Sequence, residues 1–85
     1  MEIKYKKRFE KALKKLQPKI KKQFFVKLDI FLENKFDRVL NNHSVGRVYV
    51  GCSSIDITGD YRAIFLDEEN VVTFVMIGTH SQLYK

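Results

Sequence analysis

Four side chains in this sequence have the types needed for acid–base chemistry on a phosphodiester: His43, Asp60, Arg62 and His80. Histidine is the side chain whose unperturbed pKa, about 6.5, lets it both take and give a proton near neutrality. The chain has only two, His43 in a loop that enters a β-rich region and His80 just past its last expected strand. If they converge, one can remove the proton of an RNA 2′-hydroxyl while the other protonates the departing oxygen. Each positioned group is worth about 10²–10⁴ in rate. The competing explanation is two unrelated loop histidines.

Asp60 belongs to a Gly59-Asp60 turn, where aspartate is also favoured for purely local hydrogen bonding. Its functional use would be to orient a histidine or share in proton transfer. Asp56 precedes it on the same expected strand, on one face with Thr58. Arg62 stands among Tyr61, Ala63, Ile64 and Phe65, and an unpaired guanidinium in apolar company is costly. Either Asp60, two residues away, is its partner, or its planar fork faces an open cleft and clamps a phosphate. Arg47, beside Gly46, can do likewise. Tyr61 and Tyr84 offer aromatic faces on which unpaired bases could stack, with core packing the competing use of Tyr61. Metal-ligand spacings, phosphate-cradling glycine loops and nucleophile elbows are not found, so no metal and no small-molecule cofactor is expected.

These residues must be positioned by a chain of 85 residues, the length of one domain spanning 1–85. A hydrophobic content of 45% with 13% aromatics argues for a packed globule rather than a disordered chain. The single cysteine, Cys52, has no intramolecular partner, which excludes a disulfide-stapled miniprotein and points to a reducing compartment. Without a signal-like apolar stretch or a membrane-length apolar run, a cytoplasmic protein with no membrane partner is expected. The net charge of +6 is unevenly spread. Residues 1–27 hold eleven Lys/Arg against two Glu, and residues 28–85 hold five against eight Asp/Glu, giving +9 and −3. Lys14, Lys15, Lys21 and Lys22 lie in the cationic block and are candidate RNA contacts, although solvated helix lysines would look the same.

Alternation over 2–5 suits a short first strand. Phe9, Ala12, Leu13 and Leu16 recur at helical spacing and predict a helix over 6–16. Gln17-Pro18 breaks that helix and starts another, which runs to about 34 with Ile20, Phe24, Leu28 and Phe31 on one face. The Asn41-Asn42-His43-Ser44 cluster reads as a loop. Strands are expected over 48–50, 52–58, 61–66 and 71–77, forming an antiparallel meander. The fold class is therefore α+β: a short N-terminal strand, a helical hairpin, then a twisted antiparallel sheet of three or four strands. Both helices cover one sheet face, and the opposite face is left partly open for a ligand.

Three segments, Leu40-Asn41-Asn42-His43-Ser44, Ile57-Thr58-Gly59-Asp60-Tyr61-Arg62-Ala63-Ile64-Phe65 and Ile77-Gly78-Thr79-His80-Ser81-Gln82-Leu83-Tyr84, together resemble the RelE/ParE toxin superfamily in its YafQ-like branch. The resemblance covers essentially the whole chain and implies the RelE-like α+β fold. It also implies a toxin of a type II toxin–antitoxin pair: a metal-independent endoribonuclease that cuts mRNA on the ribosome, leaves a 2′,3′-cyclic phosphate and is blocked by a cognate antitoxin. Carried over by position, His43 matches the family histidine after the Asn-rich turn, Asp60 the acidic turn residue and His80 the histidine of Gly-Thr-His. Tyr84 matches the terminal aromatic, Tyr61 the Trp/Tyr position and Arg62 an arginine of some ribosome-dependent relatives. The chain departs from the pattern at Gly51-Cys52-Ser53, where YafQ-like members commonly carry Gly-Tyr-Arg. Asp56 stands at a histidine position and Met76 at one that can be a catalytic arginine. These departures keep a second reading open, a catalytically weak or inactive member that acts by binding a protein, either its antitoxin or gyrase.

Overall fold

The computed structural model describes residues 1–84. In chain order they form β1 (Glu2–Tyr5), α1 (Lys7–Lys15), α2 (Pro18–Glu33), a 3-10 turn (Arg38–Leu40), β2 (His43–Ser44), β3 (Cys52–Asp56), β4 (Tyr61–Glu68), β5 (Val71–Thr79) and the one-turn α3 (His80–Leu83). The helical hairpin falls where the apolar spacing places it. Gln17, the residue before proline, is extended with ψ 147° and so cannot continue α1, while Pro18 opens α2 at a position that needs no N–H.

The sheet has five strands in the order β1-β5-β4-β3-β2. Only β1 runs parallel to its neighbour, with Ile3 beside Val72 and Tyr5 beside Phe74. The sheet is thus mixed and larger than the antiparallel one of three or four strands expected from the sequence. The hairpin α1–α2 returns β1's chain across one face, which makes the parallel pairing possible. That face is filled by Phe9, Phe24, Phe31, Phe65 and Phe74, all buried. Their rings meet mostly edge-on or tilted, such as Phe24–Phe74 at 5.2 Å and Phe31–Phe65 at 5.1 Å between centroids. Such pairs add about 0.5–1.5 kcal/mol each beyond simple area burial.

The other face carries a smaller cluster in which Cys52, Ile64 and Leu83 are buried and Val45, Tyr49, Met76 and Tyr84 pack partly around them. It is therefore half-covered by the 45–51 loop and α3 rather than wholly open. No strand forms over 48–50. The N–H groups of Val48 and Tyr49 both bond the Val45 carbonyl, and Gly51 has φ +76°, so this stretch is a turn. Only Tyr49 turns inward; Val48 and Val50 are 58% and 88% exposed, and β-branched propensity without a buried face does not make a strand. The pairing falls instead on His43–Ser44, expected as loop, which lies antiparallel to Ser53 and Ser54.

Candidate active site

Register decides which side chains meet. His43 pairs with Ser54, Ser54 with Ile64 and Ile64 with Met76, a row across the sheet. One step along, Asp56 pairs with Arg62 and Arg62 with Gly78. Residues two apart on a strand share a face, so Ser54 and Asp56, and Arg62 and Ile64, point the same way, away from the helices. The loop between Asp56 and Arg62 sets this register. The Ile57 N–H bonds the Tyr61 carbonyl, which leaves three residues in the turn instead of the Gly59-Asp60 pair. That one extra residue brings Asp56, rather than Ile57, opposite Arg62.

The resulting contacts form a chain. The Nδ1–H of His43 donates to the Asn41 carbonyl at 2.7 Å. A carbonyl only accepts, so Nδ1 holds the proton and Nε2 of a neutral ring is left as the basic atom. Asn41 has the left-handed φ of 50° that asparagine tolerates, and its Nδ2 donates to Asp56 Oδ2 at 3.4 Å. The other carboxylate oxygen, Oδ1, is buried and lies 3.3 Å from Arg62 Nε, an ion pair without hydrogen-bond alignment. Beyond Arg62 stands Tyr84. Burial, reinforced by the Tyr49 phenol, pushes the Tyr84 hydroxyl above its ordinary pKa, and the neighbouring positive charge of Arg62 opposes that rise. The Tyr84 ring lies 4.8 Å from the His80 ring and 6.1 Å from that of Tyr49, whose hydroxyl donates to the Leu83 carbonyl at 2.7 Å.

His80 is held by a capping box. The Thr79 hydroxyl accepts the Gln82 N–H at 3.2 Å, and the Gln82 Oε1 accepts the Thr79 N–H at 2.9 Å. Gly78 makes this possible, because a Cβ there would sit 2.9 Å from Gln82 Oε1. One face of the sheet thus presents His43, Arg62, His80 and Tyr84, with two strand spacings, about 10 Å, between the backbones of β2 and β4.

Asp60 does not join them. It lies at the exposed turn tip, where its N–H donates to Thr58 Oγ1 at 3.3 Å, and its carboxylate contacts neither histidine nor Arg62. The expected Asp60–Arg62 partnership is therefore corrected to Asp56–Arg62. Arg47 is exposed in the 45–51 turn. Tyr61 points to the helix side, where it packs on the main core and lines a groove of about 590 Å³ with Lys15. Lys14 lies on the other flank of α1, in a separate hollow, while Lys21 is half-buried and Lys22 exposed on α2. Asn41 and Tyr49 take part in the cluster although sequence reasoning gave them no place in it, and Asp56, weighed there behind Asp60, takes the place given to Asp60. The turn length between Asp56 and Arg62 was the signal available for Asp56. Among the described residues, no group of three or more His, Cys, Asp or Glu is arranged to hold a metal ion, and no helix is long and apolar enough to cross a membrane.

Comparison with solved structures shows the same fold at low identity. The chain is similar to YafQ from Escherichia coli (TM-score 0.84, 18% identity, covering 99% of this chain and 98% of that one). It is likewise similar to the E. coli DinJ–YafQ toxin–antitoxin complex (0.82, 18%, 99% and 97%). A third likeness is to the RelB–RelE antitoxin–toxin complex of Methanococcus jannaschii (0.75, 17%, 95% and 94%). Comparison with curated proteins gives no match. Over residues 1–85 the sequence matches the family described as the bacterial toxin of type II toxin–antitoxin system, YafQ, and the chain belongs to that family.

Proposed function

We propose that this toxin is a metal-independent endoribonuclease in which His43 and His80 work on opposite sides of a phosphate held by Arg62. The contacts from His43 through Asn41 and Asp56 to Arg62, and the packing of Tyr84 on His80 on the same face of the sheet, carry the reading. Nε2 of His43 takes the proton of the 2′-hydroxyl, whose oxygen bonds to phosphorus as the P–O5′ bond breaks. His80 gives a proton to the departing 5′-oxygen. The products are a 2′,3′-cyclic phosphate and a free 5′-hydroxyl, with no change in oxidation state. Arg62 stabilises the charge that grows on the non-bridging oxygens, and Tyr84 packs against His80 to fix its ring. The substrate is mRNA on the ribosome. The partner is a cognate antitoxin, supported by the antitoxin-bound relatives with the same fold.

The test is cleavage of an RNA oligonucleotide, with and without ribosomes and in excess chelator, with the new ends identified chemically. Cyclic phosphate ends that survive chelation, and a fall of about 10²–10⁴-fold in His80→Ala, are expected. Cleavage abolished by the chelator, or unchanged in His80→Ala, contradicts the mechanism. The engagement of Arg62 by Asp56 favours a second reading, a toxin that acts by binding a protein. Toxicity that persists in His80→Ala without any RNA cut would select it.

A further inference from the structure

The groove of about 590 Å³ between α1 and the end of β5 opens on the helix side of the sheet and plays no part in the chemistry above. One wall carries Arg8, Lys11 and Lys15, at i, i+3 and i+7 of α1, in line over about 10 Å. The lining contains no carboxylate; Glu10, the acidic residue of α1, faces two neighbouring hollows, one of which Lys11 also borders. None of the three cations makes an ion pair among the described residues. Unneutralised cations in a concavity focus field and draw polyanions.

The opposite wall is built from the end of the sheet. β1 pairs with β5 only as far as Phe74, so Val75 to Thr79 have no strand on that side, and Met76 and Ile77 line the groove. Tyr61 presents a half-buried ring, and Gln82, whose Oε1 is used by the capping box, keeps its Nε2 hydrogens for a ligand. Tyr61 precedes Arg62 on β4 but points to the opposite face, and Gln82 lies two residues after His80 in α3. Met76 lines the groove and also packs in the cluster that holds Tyr84, so the groove meets the candidate site around the end of the sheet, at Met76 and α3.

We propose that this groove holds the single-stranded RNA flanking the scissile phosphate, with its backbone along Arg8, Lys11 and Lys15 and a base stacked on Tyr61. The identity of the ligand rests on the nuclease reading, since an in-line row of cations beside an aromatic ring is also what single-stranded nucleic acid generally requires. Because every base has a π-face and every nucleotide a phosphate, the groove adds affinity without choosing a sequence. It also lets the toxin bind RNA in the absence of the ribosome.

The probe is a 2′-O-methyl oligoribonucleotide, which cannot be cut, with its Kd measured over a series of salt concentrations. Each phosphate contact to single-stranded RNA contributes about 0.7 to the slope of log K against log salt. The Arg8→Ala/Lys11→Ala/Lys15→Ala variant is expected to flatten that slope by about 2. The Lys4→Ala/Lys7→Ala/Lys19→Ala variant loses the same charge outside the groove and should barely change it. Tyr61→Leu should weaken binding about fivefold or more at unchanged slope. Equal slopes for the two triple variants would overturn the groove even if the toxin cuts RNA. A slope change confined to the groove variant would uphold it even if no cleavage is found. An acidic peptide whose binding depends on the three cations, with RNA affinity independent of them, would reassign the groove to a protein partner and overturn the proposal.

Discussion

Asp56 does at residue scale what was expected of Asp60. Its two oxygens reach Arg62 on one side and Asn41 on the other, so a single carboxylate links Arg62 to the loop that orients His43. Both members of the Asp56–Arg62 pair are about a quarter to a third exposed, so the pair contributes no more than about 1 kcal/mol to stability. Its value lies in geometry, where a displacement of about 1 Å can cost about 10²-fold in rate. Asp56→Ala should therefore leave the melting temperature nearly unchanged and lower cleavage about 10- to 100-fold; equal cleavage by the variant would remove Asp56 from the site. Arg62→Lys should not rescue Arg62→Ala, because a point charge lacks the planar fork, and single-turnover cleavage of both variants checks this. Residue type alone singles out the histidines and Arg62 for the proposed site. The pairing of Asp56 with Arg62 was not legible, because it depends on one residue of turn length that shifts the hairpin register.

The elements that position the proposed site are the smallest ones. α3 is a single turn, and its capping box fixes the path of His80. Gly78→Ala drives a Cβ to 2.9 Å from Gln82 Oε1 and should break that box, at a cost of about 1 kcal/mol by loss of the cap. Cleavage should fall by far more than this destabilisation explains, and thermal melts run beside cleavage assays separate the two effects. If Gly78→Ala melts lower but cuts RNA as well as the parent, α3 does not position His80. The long helices could be read from spacing to within a residue, because their apolar stripes repeat over several turns. Strand β2 has two residues, too few to show a period, and its existence depends on pairing with Ser53 and Ser54 rather than on its own sequence. Residues 48–50 carry the opposite signal, strand-forming types in a turn, where Gly46 and Gly51 bound the segment and only Tyr49 finds a place to pack.

At the scale of the whole molecule, the aromatic core on the helix side supports everything on the other face. Phe74 touches Phe9, Phe24, Phe31 and Phe65 and is fully buried. Phe74→Ala should cost about 3–5 kcal/mol, a large share of the stability of so small a domain, and denaturant titration measures it directly. The folded chain is also polarised, with +9 on residues 1–27 and −3 on the remainder, so the helical layer is a cationic surface and the sheet carries the acid–base groups. Anionic partners are drawn first to the helices, on the opposite side of the sheet from the face where His43, Arg62 and His80 lie. The central claim is that this face cuts RNA. Mapping of mRNA ends in cells expressing the wild-type toxin or His80→Ala from a tightly controlled promoter, with growth followed in parallel, tests it most directly. Cuts that appear with the wild type and vanish with His80→Ala, as growth recovers, are the predicted result; arrested growth without new mRNA ends would contradict it.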